Sequence, residues 1–180
     1  MTLRPLKLDP RKQAIALLSK LNITRAPIPV ERIARHLGTE LRFSPLDDEI
    51  SGMVYIKDAI PIIGINSLHH PNRQRFSIAH ELGHLVLHRH LVEKEVHVDK
   101  DFHVLRRDKK ASAGTDEIEI EANRFASELL MPKAFLEQIL VETKFDVDDE
   151  KFIESLAARF KVSKQAMGHR VSALLDLGGL

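Results

Sequence analysis

The sequence contains no cysteine, no tryptophan and only one tyrosine among its 180 residues. Without cysteine the chain has no disulfide framework and no thiolate metal site, so any bound metal must use histidine and carboxylate ligands. Aromatic residues make up only 5% of the chain. Because single-stranded nucleic acids are usually bound by stacking bases on aromatic side chains, this composition does not favour that class of function.

The chain also lacks a strong net charge and a long apolar run. Its formal net charge of +1 points neither towards nor away from nucleic acid, membrane or acidic partners. No stretch approaches the roughly 18 apolar residues that indicate a membrane-spanning helix, and the N-terminal sequence has no apolar core of a signal peptide. We therefore expect a cytoplasmic protein without membrane attachment, long enough for one domain with a small appendage.

The most informative pattern is a His-Glu-x-x-His motif, formed by His80, Glu81 and His84 within residues 76–88. Residues four positions apart on a helix lie one turn apart on the same face, so the two histidines can bind one metal ion. Glu81 points to another side of the helix, where it can act as a general base towards a water molecule beside the metal. Several sides of this helix carry apolar side chains, namely Phe76, Leu82, Leu85, Val86 and Leu87.

A helix that is apolar on several sides is a buried helix. Two histidines and a glutamate inside it need a compensating partner, because burying unpaired polar groups costs several kcal/mol. The best partner is a metal ion. A catalytic zinc ion usually takes three protein ligands and keeps one position open, so a third ligand is expected outside the motif.

The predicted helix over residues 117–130 supplies the third ligand. Its apolar arc comprises Ile118, Ala122, Phe125, Ala126, Leu129 and Leu130. Glu119 falls inside this arc, whereas Glu121 lies outside its edge and Glu117 lies further away. Because a carboxylate on a buried face needs a cation, we predict Glu119 as the third ligand. Asn123, one turn later, is predicted to hydrogen-bond the far nitrogen of a metal-binding histidine, although a half-exposed amide is an equal alternative.

Other polar residues near the motif are weaker candidates. His88 lies a further helical turn beyond His84, too far along the axis to share its site. Residues 91–116 are predicted to form a long charged loop, with solvated side chains at Glu93, Glu95, His97 and His103. A peptidase also needs a donor for the developing oxyanion, and the sequence does not rank the candidates Tyr55, His69, His70, His103 and His169.

The remaining pattern predicts an α+β protein. Helices are expected over residues 10–22, 29–38, 71–90, 117–131, 133–141, 151–160 and 163–176, and strands over 39–44, 52–57 and 60–66. Pro61 removes a donor from the third strand, so residues 60–66 are expected at the edge of the sheet. An extended substrate could pair with such an edge, although a capped edge without function is equally compatible.

Three blocks, GMVYIKDAIPIIGIN, RQRFSIAHELGHLVLH and EIEANRFASELLMP, resemble the ImmA/IrrE family of zinc metallopeptidases over roughly residues 25–135. The resemblance implies a zincin-like fold in which a small three-stranded sheet packs on the active-site helix. It also implies zinc ligands at His80, His84 and Glu119, a general base at Glu81, and cleavage of helix-turn-helix repressors in mobile-element or stress-response systems. Asn123 stands where related gluzincins have aspartate, which implies a weaker orienting role.

The tail, LAARFKVSKQAMGHRVSALLDLG, resembles the helix-turn-helix-like end of such proteins, so we expect residues 1–145 to form the peptidase domain and 146–180 a separate segment. Ser163 is predicted to cap the second helix of the tail. The core of the tail is expected to comprise Leu156, Phe160, Val162, Met167 and Val171. Its basic residues are Lys161, Lys164 and Arg170, too few to favour DNA binding over a structural or substrate-docking role.

Two hypotheses from other functional classes stay open. The first is a regulatory metal-binding protein that acts by binding a repressor or DNA without proteolysis. The second is an interaction domain in which the zinc ion is structural. Glu81 favours the peptidase, because a structural site tends to be fully coordinated by protein and does not need an additional carboxylate between its histidines.

Overall fold

The computed structural model of the chain describes residues 8–93, 96–100, 112–142 and 150–176. In chain order the elements are α1 (Pro10–Lys20), α2 (Val30–His36), β1 (Glu40–Ser44), β2 (Ile50–Lys57), β3 (Ile60–Asn66), α3 (Pro71–Leu87), α4 (Arg89–Val92), β4 (His97–Lys100), α5 (Ser112–Leu130), α6 (Lys133–Glu142), α7 (Glu150–Phe160) and α8 (Lys164–Asp176). The α+β prediction is confirmed. Across these ranges, no helix combines the length and apolar content that a membrane crossing requires.

Within the described residues the sheet has four strands in the order β1-β3-β2-β4, one more than the sequence predicted. β1 runs parallel to β3, and β2 is antiparallel to both β3 and β4. The prediction that residues 60–66 form an edge strand is wrong, because β3 lies between β1 and β2. Pro61 is tolerated there because β1 begins opposite Ile62, one residue later, so the proline has no partner on that side.

Helix α3 lies between the sheet and α5. It begins at Pro71, a position where a missing N–H is no loss, and the Nδ1 atom of His70 accepts the N–H of Asn72 at 3.2 Å. Every residue from Ser77 to Leu85 is buried. The helix that carries the motif is therefore a core helix, with packed surfaces on more than one side.

Gly83 allows α3 and α5 to approach closely. A Cβ atom at this position would lie 3.1 Å from two backbone atoms of Ala122 and 3.3 Å from the ring of Phe125. Ala122 lies between Glu119 and Asn123 in α5. The glycine between the two motif histidines therefore brings the polar side chains of α5 against the motif.

The C-terminal helices α7 and α8 belong to the same hydrophobic core as α1 to α6. Buried Arg170 of α8 donates to the carbonyl oxygen of Met131 at 3.0 Å and pairs with buried Glu128 of α5. The other oxygen of Glu128 accepts the N–H of Lys133 at 2.9 Å. A single buried carboxylate thus links α5, α6 and α8, and such a pair is strongly destabilised when one partner is removed.

The interior of the tail agrees with its predicted pattern. The apolar residues expected in its core are all buried, namely Leu156, Phe160, Val162, Met167 and Val171. Ser163 acts as the predicted cap, because its Oγ accepts the N–H of Ala166 at 3.1 Å. The amide of Asn72 at the start of α3 also donates to the carbonyl oxygen of Val162 at 3.0 Å. The tail therefore contacts the helix that carries the motif.

Candidate metal centre

Three histidines and one glutamate converge where α3, α5 and β4 meet. His80 and His84 come from α3, Glu119 from α5 and His97 from β4. Each contributes one potential ligand atom, and these atoms all lie within 4.8 Å of one another. The structure thus brings together the three residues that the sequence predicted as ligands and adds a fourth. We call these four residues the ligand cluster.

The distances within the ligand cluster are short. The Nε2 atoms of His80 and His84 lie 2.9 Å apart. Glu119 places Oε2 3.1 Å from Nε2 of His80 and Oε1 3.5 Å from Nε2 of His84. Nε2 of His97 lies 3.0 Å from Oε1 of Glu119, and the ring centroids of His97 and His84 are 3.8 Å apart. Nitrogen and oxygen lone pairs therefore meet in one small volume.

This donor set fits a divalent metal ion. Oε2 of Glu119 and Nε2 of His97 are shielded from solvent, and neither has a neighbour in a suitable orientation for a hydrogen bond. Buried polar atoms normally have a partner, and an ion bound among the four side chains would satisfy both. Imidazole nitrogen and carboxylate oxygen are ligands that zinc accepts. The residues present therefore fit a metal ion, and zinc as its identity stays a prediction.

The surroundings of His80 direct its Nε2 lone pair to the ligand cluster, and those of His84 favour its neutral form. Oδ1 of Asn123 lies 3.1 Å from Nδ1 of His80. An amide oxygen only accepts, so His80 donates from Nδ1 and keeps the Nε2 lone pair for the ligand cluster. Burial lowers the pKa of His84 to about 4, against the opposing effect of Glu119. Burial alone would raise the pKa of Glu119, but contacts with the histidine rings hold it well below its ordinary value.

Glu81 is buried beside the ligand cluster without being a member of it. Its carboxylate faces β2, since a Cβ atom at Gly52 would lie 3.1 Å from Oε1 of Glu81. The missing side chain at Gly52 thus leaves room for the carboxylate between α3 and the sheet. This arrangement separates one carboxylate from the ligand set, as a general base requires, and that role stays a prediction.

Sequence reasoning missed His97, which was expected to be solvated in a charged loop. The structure places it in β4, where it pairs with Val54 of β2. The only local signal was the alternation of polar and apolar residues around Val96 and Val98, which is typical of a short strand. The pairing that carries His97 to the ligand cluster is a long-range contact, and no local pattern encodes it.

A second histidine–carboxylate pair lies beside the ligand cluster. His88 follows α3, and its Nε2 atom lies 3.5 Å from Oε2 of Glu121. The helical wheel placed Glu121 outside the apolar arc, yet Glu121 is 7% exposed and Glu119 is 9% exposed. Because both are buried, burial does not distinguish the two glutamates. Their distances to His80 and His84 do, and only Glu119 joins the ligand cluster.

The other candidates are placed elsewhere, as far as the structure describes them. Tyr55 contacts β1, His69 lies beside the end of β3, and His70 caps α3. His169 is exposed on α8. His103 lies outside the described residues. None of the four described candidates belongs to the ligand cluster, so the oxyanion donor is not identified among them.

Comparisons with known proteins identify a family and a fold. The sequence profile of the IrrE N-terminal-like domain, which defines a peptidase family, matches residues 34–172. A solved structure described as a Mycobacterium tuberculosis transcriptional regulator shares the fold, with a TM-score of 0.62 and 19% sequence identity. The similarity covers 91% of this chain and 46% of that chain, so this chain spans about half the length of the regulator. No curated protein matches the sequence significantly.

Proposed function

Because the chain belongs to the peptidase family of the IrrE N-terminal-like domain, we propose that it is a zinc-dependent endopeptidase. The observation that carries the proposal is the separation of two kinds of side chain. The ligand cluster gathers histidines and Glu119, while buried Glu81 stands outside it on the same helix as His80 and His84. A purely structural site has no need of the additional carboxylate.

In this proposal each side chain has a defined task. His80, His84 and Glu119 hold the zinc ion, which supplies Lewis-acid activation of water and of the scissile carbonyl. Glu81 accepts a proton from the attacking water and delivers it to the leaving amine. Asn123 keeps His80 in the tautomer that directs Nε2 to the ligand cluster.

The proposed substrate is a helix-turn-helix transcriptional repressor in a mobile-element or stress-response system, cleaved in the cytoplasm. Two observations support it. The sequence blocks around the motif resemble peptidases of this kind, and a solved structure with the same fold is described as a transcriptional regulator. The tail carries few basic residues, which favours docking of a protein over binding of DNA.

The test uses Glu81→Gln, which preserves size but cannot accept the proton. The zinc-loaded wild-type and variant proteins are incubated with helix-turn-helix repressors encoded beside the gene, and the products are measured by mass spectrometry. We expect the variant to retain zinc and to lose cleavage by about 10²- to 10⁴-fold, the usual contribution of a general base. Exposed Glu154→Gln is the matched control, expected to cleave like wild type. Equal cleavage by Glu81→Gln would disprove the general-base role.

One observation favours a second candidate function, a regulatory metal-binding protein without turnover. His97 gives the ligand cluster four protein side chains, which is the usual number in a structural zinc site. That candidate predicts binding of a repressor or DNA that is unchanged by Glu81→Gln and leaves both partners intact. The same incubation distinguishes the two functions, because intact repressor at all times with wild-type protein contradicts the peptidase.

A further inference from the structure

Strand β4 covers the edge of the sheet that lies beside the ligand cluster. It pairs antiparallel with β2, with His97 opposite Val54, Val98 opposite Met53 and Asp99 opposite Gly52. A register shift interrupts the pairing between Ile50 and Gly52. On its other side β2 pairs with β3, so β4 occupies the hydrogen-bonding edge that β2 would otherwise present.

An extended peptide paired with that edge would lie beside the proposed general base. β2 passes directly against the proposed general base, because only the missing side chain of Gly52 leaves room for Oε1 of Glu81. A peptide that pairs with β2 by strand addition would run past Glu81 and the ligand cluster. β4 follows this same path, with residue 99 of its backbone opposite Gly52.

The side chain of His97 adds a fourth potential ligand to the site. A catalytic zinc ion has three protein ligands and an open position, whereas a structural one has four protein ligands. His97 lies within the ligand cluster, its Nε2 atom is 3.0 Å from Oε1 of Glu119, and its ring centroid is 3.8 Å from that of His84, with the two ring planes tilted by 40°. If His97 bound the metal ion as a fourth protein ligand, it would take the position that a catalytic site keeps open for water or the substrate carbonyl.

Strand β4 is less extensively packed than the helices that carry the other residues of the ligand cluster. The strand has four residues, His97–Lys100. Val96 and Val98 are 58% and 37% exposed, so these apolar side chains contribute little burial. Short edge strands with exposed side chains belong to the least stable parts of a fold. A longer substrate strand can displace such a segment by forming the same backbone hydrogen bonds with better side-chain contacts.

We infer that β4 is an intramolecular inhibitory strand, which occupies the substrate edge of β2 and places His97 in the open coordination position. A protein substrate must displace it before cleavage. This inference rests on the proposed function for the identity of the displacing partner. The blocked coordination position can be measured without any proteolysis.

The experiment measures access to the metal in the full-length, metal-loaded protein. Acetohydroxamate, a small chelating ligand for open zinc sites, is titrated into wild type, His97→Ala and the control Val98→Ala. Cobalt-substituted samples report the coordination by their visible absorption. If β4 is paired with β2 and His97 lies in the ligand cluster in about nine tenths of the molecules, removing the side chain of His97 raises the apparent affinity for hydroxamate about tenfold. Val98→Ala alters the same strand outside the ligand cluster, and its affinity should equal that of wild type.

The outcomes separate this inference from the proposed function. Tighter hydroxamate binding and a changed cobalt spectrum in His97→Ala alone, with one metal ion per chain retained, support the inhibitory strand even if no variant cleaves a repressor. Unchanged affinity overturns it, because the position was then already open. Weaker binding also overturns it and makes His97 a donor to the bound ligand. Loss of the metal overturns it too and makes His97 an essential ligand. If His97→Ala fails to fold, His97→Gln takes its place under the same criteria.

Discussion

The two sides of the ligand cluster are built in different ways. His80, His84 and Glu119 sit on two long helices that pack through Gly83 and Ala122, deep in the core. His97 sits on a short edge strand whose neighbours Val96 and Val98 are exposed. Displacing a helix from the core would expose large apolar surface, whereas displacing β4 would expose little. The difference is the one that our proposal requires, with three permanent ligands and one removable ligand.

The largest effect is expected on the helical side. Glu119→Ala should lower zinc affinity by more than the roughly 10- to 100-fold typical of residues that only position a ligand. The matched control is Glu121→Ala, since Glu121 is equally buried but pairs with His88 outside the ligand cluster. Zinc content after dialysis against a weak chelator measures both. If Glu121→Ala lost zinc and Glu119→Ala retained it, the third ligand would be Glu121 and not Glu119.

A second prediction concerns the buried ion pair between Arg170 of α8 and Glu128 of α5. Arg170→Ala leaves the carboxylate of Glu128 buried without its cation, and we expect it to lower the free energy of unfolding by about 3–5 kcal/mol. Lys164→Ala removes an exposed pair with Glu150, which solvent screens, so its effect on the free energy of unfolding should be much smaller. Denaturant titration measures both. Equal costs would show that α8 does not anchor the ligand-bearing helix, and residues 146–180 would then behave as a separate segment.

The third and smallest expected effect tests the contact between the ligand-bearing helices. Gly83→Ala places a methyl group 3.1 Å from the backbone of Ala122, and overpacking of this kind costs about 1–3 kcal/mol. Because Glu119 must move with α5, zinc affinity should fall in the same variant. Gly168→Ala is the control, since its Cβ would meet nothing nearer than Ile153 at 4.0 Å and alanine favours a helix by about 1 kcal/mol. Unchanged zinc affinity in Gly83→Ala would show that the helix spacing is not critical.

Local patterns predicted much of the site because its main parts are helical. The spacing of His80 and His84 and the wheel position of Glu119 depend only on the geometry of one helix each. The wheel did not foresee the burial of Glu121, because a wheel describes one helix alone, whereas Glu121 contacts His88, which follows α3. Pro61 suggested an edge strand, and the error arose because β1 is simply too short to reach the proline. Each of these wrong predictions involves a contact with a residue in a distant part of the chain.

The sequence by itself determined the α+β class, the buried helix with its metal-binding motif, the apolar face that carries Glu119 and the capped helices of the tail. These features follow from periodicity and capping, which act over a few residues. Only the tertiary structure decided the sheet order, the burial of Glu81 against Gly52, the anchoring of α8 through Arg170 and the entry of His97 into the ligand cluster. The physical reason is that strand pairing and helix packing join residues far apart in the chain, and their partners are set by the packing of the whole core.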